Sequence, residues 1–132
     1  MVAPITELRG LVRDTVLDDA TLFALLTGFY DDAPKDVVSP YVTFGPSDFN
    51  PFDPTCITAG DHSLQIDVWS KNKPRKQCED ICHAIKKLVH LQTLNLTVHA
   101  LGKITASSRV IRDPDGITNH GIISIQALIE ER

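Results

Sequence analysis

Two apolar alternations flank one turn near the end of the sequence, and together they constrain the fold more than any other feature. In LTVHALGKITASSRVIRD the even positions Val98, Ala100, Ile104, Ala106 and Val110 are apolar. In HGIISIQALIEER the odd positions Ile123, Ile125, Ala127 and Ile129 are apolar. A period of two marks a strand with one buried face. Between the two runs lies Asp113-Pro114-Asp115-Gly116. Here Pro presets φ, Asp bonds back to its own backbone and Gly accepts a positive φ. With these four residues as the loop, Arg112 faces Ile117, Ile104 faces Ile125, Ala106 faces Ile123 and Ala100 faces Ile129. The whole apolar set then shares a face, and a slip of one residue would turn one strand's set to solvent. Such a hairpin needs a second layer to cover it.

The remaining sequence supplies that layer. Pro4 suits a first helical turn, and Ile5, Leu8, Leu11, Val12, Thr15 and Val16 follow at helical spacing. Asp18 and Asp19 break the pattern and are placed to cap a second helix carrying Leu22, Phe23, Leu25 and Leu26, with Gly28 set to end it. Residues 29–34 read as a short extended piece and a turn. VVSPYVTFG, Val37 to Gly45, reads as a strand with Pro near its entry. In DHSLQIDVWS, Leu64, Ile66 and Val68 alternate with Gln65, Asp67 and Trp69, a half-buried strand. Between these strands, residues 45–60 hold turn and loop chemistry, a long hairpin arm. Pro74 opens a third helix reaching about His90. The expected order is α-α-β-β-β-α-β-β. That is an α+β fold in a single domain of 132 residues, an antiparallel-rich mixed sheet with helices on one face.

The charge and the motifs exclude several functions. A net charge of −4 argues against tight binding to a phosphate backbone. MVAPITELRG has neither the basic nor the apolar region of a signal peptide, and no run approaches the roughly 18 apolar residues of a membrane span. Three cysteines at 56, 78 and 82 do not form a secreted disulfide framework, so a reducing cytoplasm is the expected place of synthesis. The segment KNKPRKQCEDICHAIKKLVH places Cys78, Ile81, Cys82, Ile85, Leu88 and Val89 on one helical stripe. His83 diverges from both sulfurs by about 100°. The C-x3-C spacing lacks a zinc knuckle, and core packing is the better reading. No nucleophile elbow, P-loop or H-E-x-x-H is present, and Asp61, His62 and Ser63 point alternately to opposite faces. No enzyme, metal or cofactor is expected. His99 and His120 read as satisfied surface groups. The basic turn Lys71, Lys73, Arg75 and Lys76 reads first as a solvated loop, with a DNA patch and a contact for an acidic neighbour as the alternatives, and is expected to be mobile. Phe49 and Phe52, on the arm, either fold back or anchor an interface.

Several short motifs in order then point to a family. They are Pro40-Tyr41-Val42, Val68-Trp69-Ser70, His90, Asp115-Gly116 and His120-Gly121. Nearly the whole chain resembles the tail completion, or tail terminator, proteins of long-tailed bacteriophages, of prophages and of phage-like gene transfer particles. The arm at 45–60 is longer and richer in Pro and Phe than that family suggests. The resemblance implies a structural protein of the virion or phage-like particle, made in the bacterial cytoplasm. It implies a homo-oligomeric ring, usually of six, that caps the tail tube, stops its polymerisation and joins the tail to the head-side connector. Its implied partners are further copies of itself, the tail tube protein and the head-completion or stopper protein, with DNA only passing through the lumen and no membrane. The alternatives are another neck component, such as a head-closure protein, and a small metal or redox enzyme using the cysteine helix.

Overall fold

Pro4 occupies the first turn of α1 (Pro4–Leu17), where its missing N–H costs nothing. The helix then buries Leu8, Val12 and Val16, each one turn from the last. Asp19 caps α2 (Ala20–Leu25), its Oδ1 accepting the Leu22 amide at 3.0 Å. α3 (Arg75–Val89) starts directly after Pro74 and buries Cys78, Ile81, Cys82, Ile85 and Val89, the stripe expected from the sequence. The computed structural model describes residues 2–52 and 56–132.

The strands are β1 (Phe29–Tyr30), β2 (Tyr41–Pro51), β3 (Ala59–Lys71), β4 (Ala100–Arg112) and β5 (Thr118–Glu130). They form one sheet in the order β1-β2-β3-β5-β4, with β1 parallel to β2 and every other pair antiparallel. The element order and the α+β class agree with the sequence reading. β3 is central, and β5, the last element in the chain, is inserted between β3 and β4. Val42, Leu64, Ile66, Val68, Ile104, Ala106, Ile123, Ile125 and Ile129 meet the helices in one continuous core. Each fully buried Val, Leu or Ile among them contributes about 1.5–3 kcal/mol. The helices all lie on this face, and the other face of the sheet is open.

The register of the C-terminal hairpin differs from the expected one by two residues. Ile104 pairs with Ala127 and Ala106 with Ile125, and a bulge between Leu101 and Ile104 brings Leu101 opposite Ile129 and Ala100 opposite Glu130. The cause lies in the turn. Asp115 Oδ1 accepts the amides of Ile117 and Thr118 at 2.9 Å each, and its Oδ2 accepts the Thr118 hydroxyl at 2.7 Å. These bonds hold Ile117 inside the turn, and pairing begins only with Asp113 and Thr118. An even-numbered slip leaves both apolar faces where they were, so the pattern could not detect it.

Three boundaries also move. Val37 and Val38 precede the strand, and Val38 is exposed. Val98 lies outside β4 and is exposed. Residues 45–51, read as loop, continue β2 past a bulge between Phe44 and Ser47, so that most of the arm is paired strand. The Asp, Asn and Pro residues of this stretch are tolerated because it forms a sheet edge. Residues 53–55 of the arm lie outside the described residues.

Candidate assembly surface

The two halves of the sequence-predicted interface lie at opposite ends of the sheet. Lys71 closes β3 next to the turn between β4 and β5, while Phe49 and Phe52 lie near the β2–β3 tip. The eleven steps from Gly60, opposite Pro51, to Lys71 span roughly 35 Å at about 3.3 Å per residue.

At the basic end the backbone is tied to its neighbours by hydrogen bonds. Asn72 donates its amide to the Ile117 carbonyl at 2.9 Å. Asn119, fully buried, donates Nδ2 to the Lys73 carbonyl at 2.9 Å and accepts the Arg112 guanidinium at 3.3 Å. Ser70 donates its hydroxyl to Gln77 Oε1 at 2.6 Å, tying strand to helix. Lys71, Lys73 and Arg75 are exposed. Lys76 is paired with Asp80 at 2.6 Å along α3, which raises the lysine pKa through that hydrogen bond. The exposed pair is worth little in stability.

At the far end Phe49 is 44% exposed and Phe52 60% exposed. Phe49 lies over His62 with ring centroids 4.6 Å apart. Gly60 makes this packing feasible, because a Cβ there would collide with the Phe49 ring. Ile57 adds exposed apolar surface near the same tip.

The open face carries a row that the sequence reading missed. Tyr30, Tyr41, Trp69 and His120 neighbour one another across β1, β2, β3 and β5. Trp69 stacks on His120 with centroids 4.0 Å apart and planes at 11°. Trp69 donates Nε1 to the Thr43 hydroxyl at 3.0 Å, and His120 Nε2 meets Asp67 Oδ1 at 2.7 Å. Asp67 is thereby buried, and the His120 side chain is only 16% exposed. The available signal was the tryptophan itself, a large aromatic on the strand phase that the alternation assigns to solvent. His99 is also buried rather than superficial. Its Nε2 donates to the Val2 carbonyl at 2.7 Å while its Nδ1 accepts the Arg132 amide at 3.1 Å.

A groove runs between α1 and the outer edge of β2. It widens into a cavity of about 610 Å³ lined by Arg9, Arg13, Asp31 and Asp32, and one of about 270 Å³ lined by Pro4, Asp48, His62 and Glu131. Arg9 donates Nη2 to the Ser47 hydroxyl at 3.3 Å, but its Nε is buried and unpartnered. Both ring nitrogens of His62 are likewise unpartnered, in a side chain 5% exposed. Burial lowers the His62 pKa against the opposing charges of Glu131 and Asp61.

The cysteine helix holds packing chemistry. Cys78 and Cys82 face the sheet and are fully buried, while His83 is exposed. Gly121 lies beneath them, and a Cβ there would run into Cys82 Sγ and come within 3.0 Å of Cys78 Sγ. The Cys82 thiol is pushed far up in pKa by its hydrogen bond to Cys78 and by burial. Among the described residues no three His, Cys, Asp or Glu side chains gather as a metal site requires, and no helix is long and apolar enough to cross a membrane.

Comparison with known proteins gives a family and a fold. A family model described as tail completion protein gp17 matches residues 10–130. Among solved structures, a chain from the virion of a native gene transfer agent particle is similar over 98% of this chain and 99% of its own. Its TM-score is 0.87 at 20% identity. The gp17 protein of bacteriophage SPP1 is similar over 92% of this chain and 88% of its own, with a TM-score of 0.57 at 20% identity. A search of curated proteins gives no match.

Proposed function

The chain belongs to the tail completion protein gp17 family, and from that membership we propose that it is a ring-forming tail terminator of a phage or phage-like particle. The observation that carries the reading is the family match over residues 10–130, together with a fold likeness to a virion chain that spans almost the whole of both chains. In this role copies associate head to tail, a heterologous contact that closes into a ring, with six subunits expected. The ring caps the tube, stops its growth and joins it to the stopper protein of the head.

The subunit has a shape suited to an adaptor. Its two ends differ in chemistry, one apolar with Phe49, Phe52 and Ile57, the other basic with Lys71, Lys73 and Arg75. An adaptor between tube and head needs two unlike surfaces. Each end serves one axial partner, and the net charge of −4 favours passage of DNA over its retention.

Polymerising purified tube protein with and without this chain tests the proposal. Capped tubes that stop lengthening, with a ring of about six copies in electron micrographs, are the expected result. Unchanged open-ended growth overturns it. Phe49→Ser with Phe52→Ser, and separately Lys71→Glu with Lys73→Glu, are each expected to abolish attachment to one axial partner and spare the other. Co-sedimentation with tubes and with stopper protein reads this out.

A further inference from the structure

Both margins of the sheet are open. Beyond the two residues that β1 covers, Val42 and Thr43, β2 has no outer neighbour among the described strands. At the opposite margin β4 has no outer strand neighbour among the described strands, and only His90 and Leu91 meet it, at Ala106 and Ile104. Exposed edges are templates for further pairing, and proteins normally blunt them with charges, bulges or prolines. β4 has a bulge and Lys103 near its start, and the Leu91 amide and His90 Nδ1 engage its edge at the Ile104 carbonyl and the Ala106 amide, which leaves Ser107–Arg112 as the free regular edge.

Side chains near the β2 edge, on α1 and β3, also lack hydrogen-bond partners. Three buried side-chain atoms among the described residues have none: Arg9 Nε, His62 Nδ1 and His62 Nε2. All three line the groove between α1 and β2. Buried polar groups are ordinarily satisfied, and each one left alone costs about 1–3 kcal/mol. A strand laid along β2 brings carbonyl acceptors past the Arg9 side chain, whereas His62 lies one strand further in, against Phe49. Charge selects the strand. β4 contains Lys103, Arg109 and Arg112 and no acidic residue. The receiving margin contributes Asp31, Asp32 and Asp48 beside the partly engaged Arg9 and Arg13.

We propose that β4 of one copy adds to the β2 edge of the next, so that the sheets of neighbouring subunits join into one continuous wall. The topology fixes the sense of pairing. Along the order β2-β3-β5-β4 the strands alternate in direction, so β2 and β4 run oppositely. Rotation about an axis along the strands preserves direction, and β4 therefore meets the next β2 antiparallel. The inference rests on the ring reading above, since it names the contact that closes such a ring.

Variants with one exposed cysteine test it in a Cys56→Ser background, the other two cysteines being buried. Asp48→Cys or Asn50→Cys copies are mixed with Thr105→Cys, Ser107→Cys or Arg109→Cys copies and oxidised. Mixed pairs are expected to cross-link, while no variant cross-links to itself. Moving the β2 probe from 48 to 50 is expected to shift the best β4 partner two residues towards its N-terminal end, the mark of antiparallel pairing. Hydrogen exchange on the wild-type assembly guards against misfolded variants. Amides of Ser47–Asn50 and Ser107–Ile111 should slow about tenfold or more. A ring without these cross-links or this protection overturns the contact and leaves the ring reading intact. A chain that stays monomeric on tubes that have stopped growing overturns both. The expected cross-links in an assembly that leaves tube growth unchanged support the contact and remove the terminator role.

Discussion

Glu7 shows how much one side chain on α1 organises. Its carboxylate accepts the amides of Thr97, Val98 and His99 at 3.0, 2.7 and 3.0 Å, which ties the connection before β4 to the first helix. Burial works to raise its pKa, but the three amides outweigh it and hold the carboxyl below its ordinary 4.5. With the folded value depressed, the stabilisation is complete above the unfolded value and is lost as pH falls through the folded one. Glu7→Ala is therefore expected to lower stability by roughly 1–2 kcal/mol at pH 7, a partly solvated, charge-assisted contact, measured by urea denaturation. Between wild type and Glu7→Gln the gap should shrink as pH drops below about 4.5. Asp115, held down by the Thr118 hydroxyl and two amides, carries the same sign. Glu7 was not legible as a clamp, because a single acid on a helical surface face looks like a solvated charge and its partners lie ninety residues away.

At the scale of elements, α3 and β5 are fitted through an absence, the missing side chain of Gly121 beneath two sulfurs. Gly121→Ala is expected to destabilise the fold by about 1–3 kcal/mol, since the added methyl meets Cys82 in a closed core. Adding Cys82→Ala should recover part of that loss, and a double-mutant cycle measures the coupling. The α3 stripe itself was readable, because helical periodicity reports one buried face regardless of what lies opposite. The faces of β3 and β5 were readable for the same reason. The pairing within the hairpin was not, since side-chain alternation repeats every two residues and the deciding bonds belong to Asp115. The long extension of β2 was hidden by residues that are poor strand formers yet acceptable at an edge. The candidate surface was half legible. Exposed Phe and Lys residues stand out in a sequence, whereas orphaned atoms of Arg9 and His62 exist only once α1 is laid against β2.

For the whole molecule, the proposed ring would divide the work of assembly between two ends and two lateral margins of different chemistry. The proposed lateral contact would join basic and acidic margins that are solvent-exposed in the single subunit. Ring formation is therefore expected to weaken as salt rises from about 0.05 to 0.5 M, where screening shortens from about 14 to about 4 Å. Sedimentation velocity follows it directly, and assembly indifferent to salt would contradict a charge-selected edge. The placement of β5 has a different consequence, for the time at which a subunit becomes competent. The last strand in the chain fills the gap between β3 and β4, pairing from Ala59 with Glu130 through Lys71 with Thr118. On the ribosome, β3 and β4 are made before the strand that joins them, and the core lacks Ile123, Ile125 and Ile129 until synthesis reaches residue 130. Such distant pairing folds late and as a unit. No subunit can offer a finished margin to a neighbour before β5 has been made and has paired with β3 and β4.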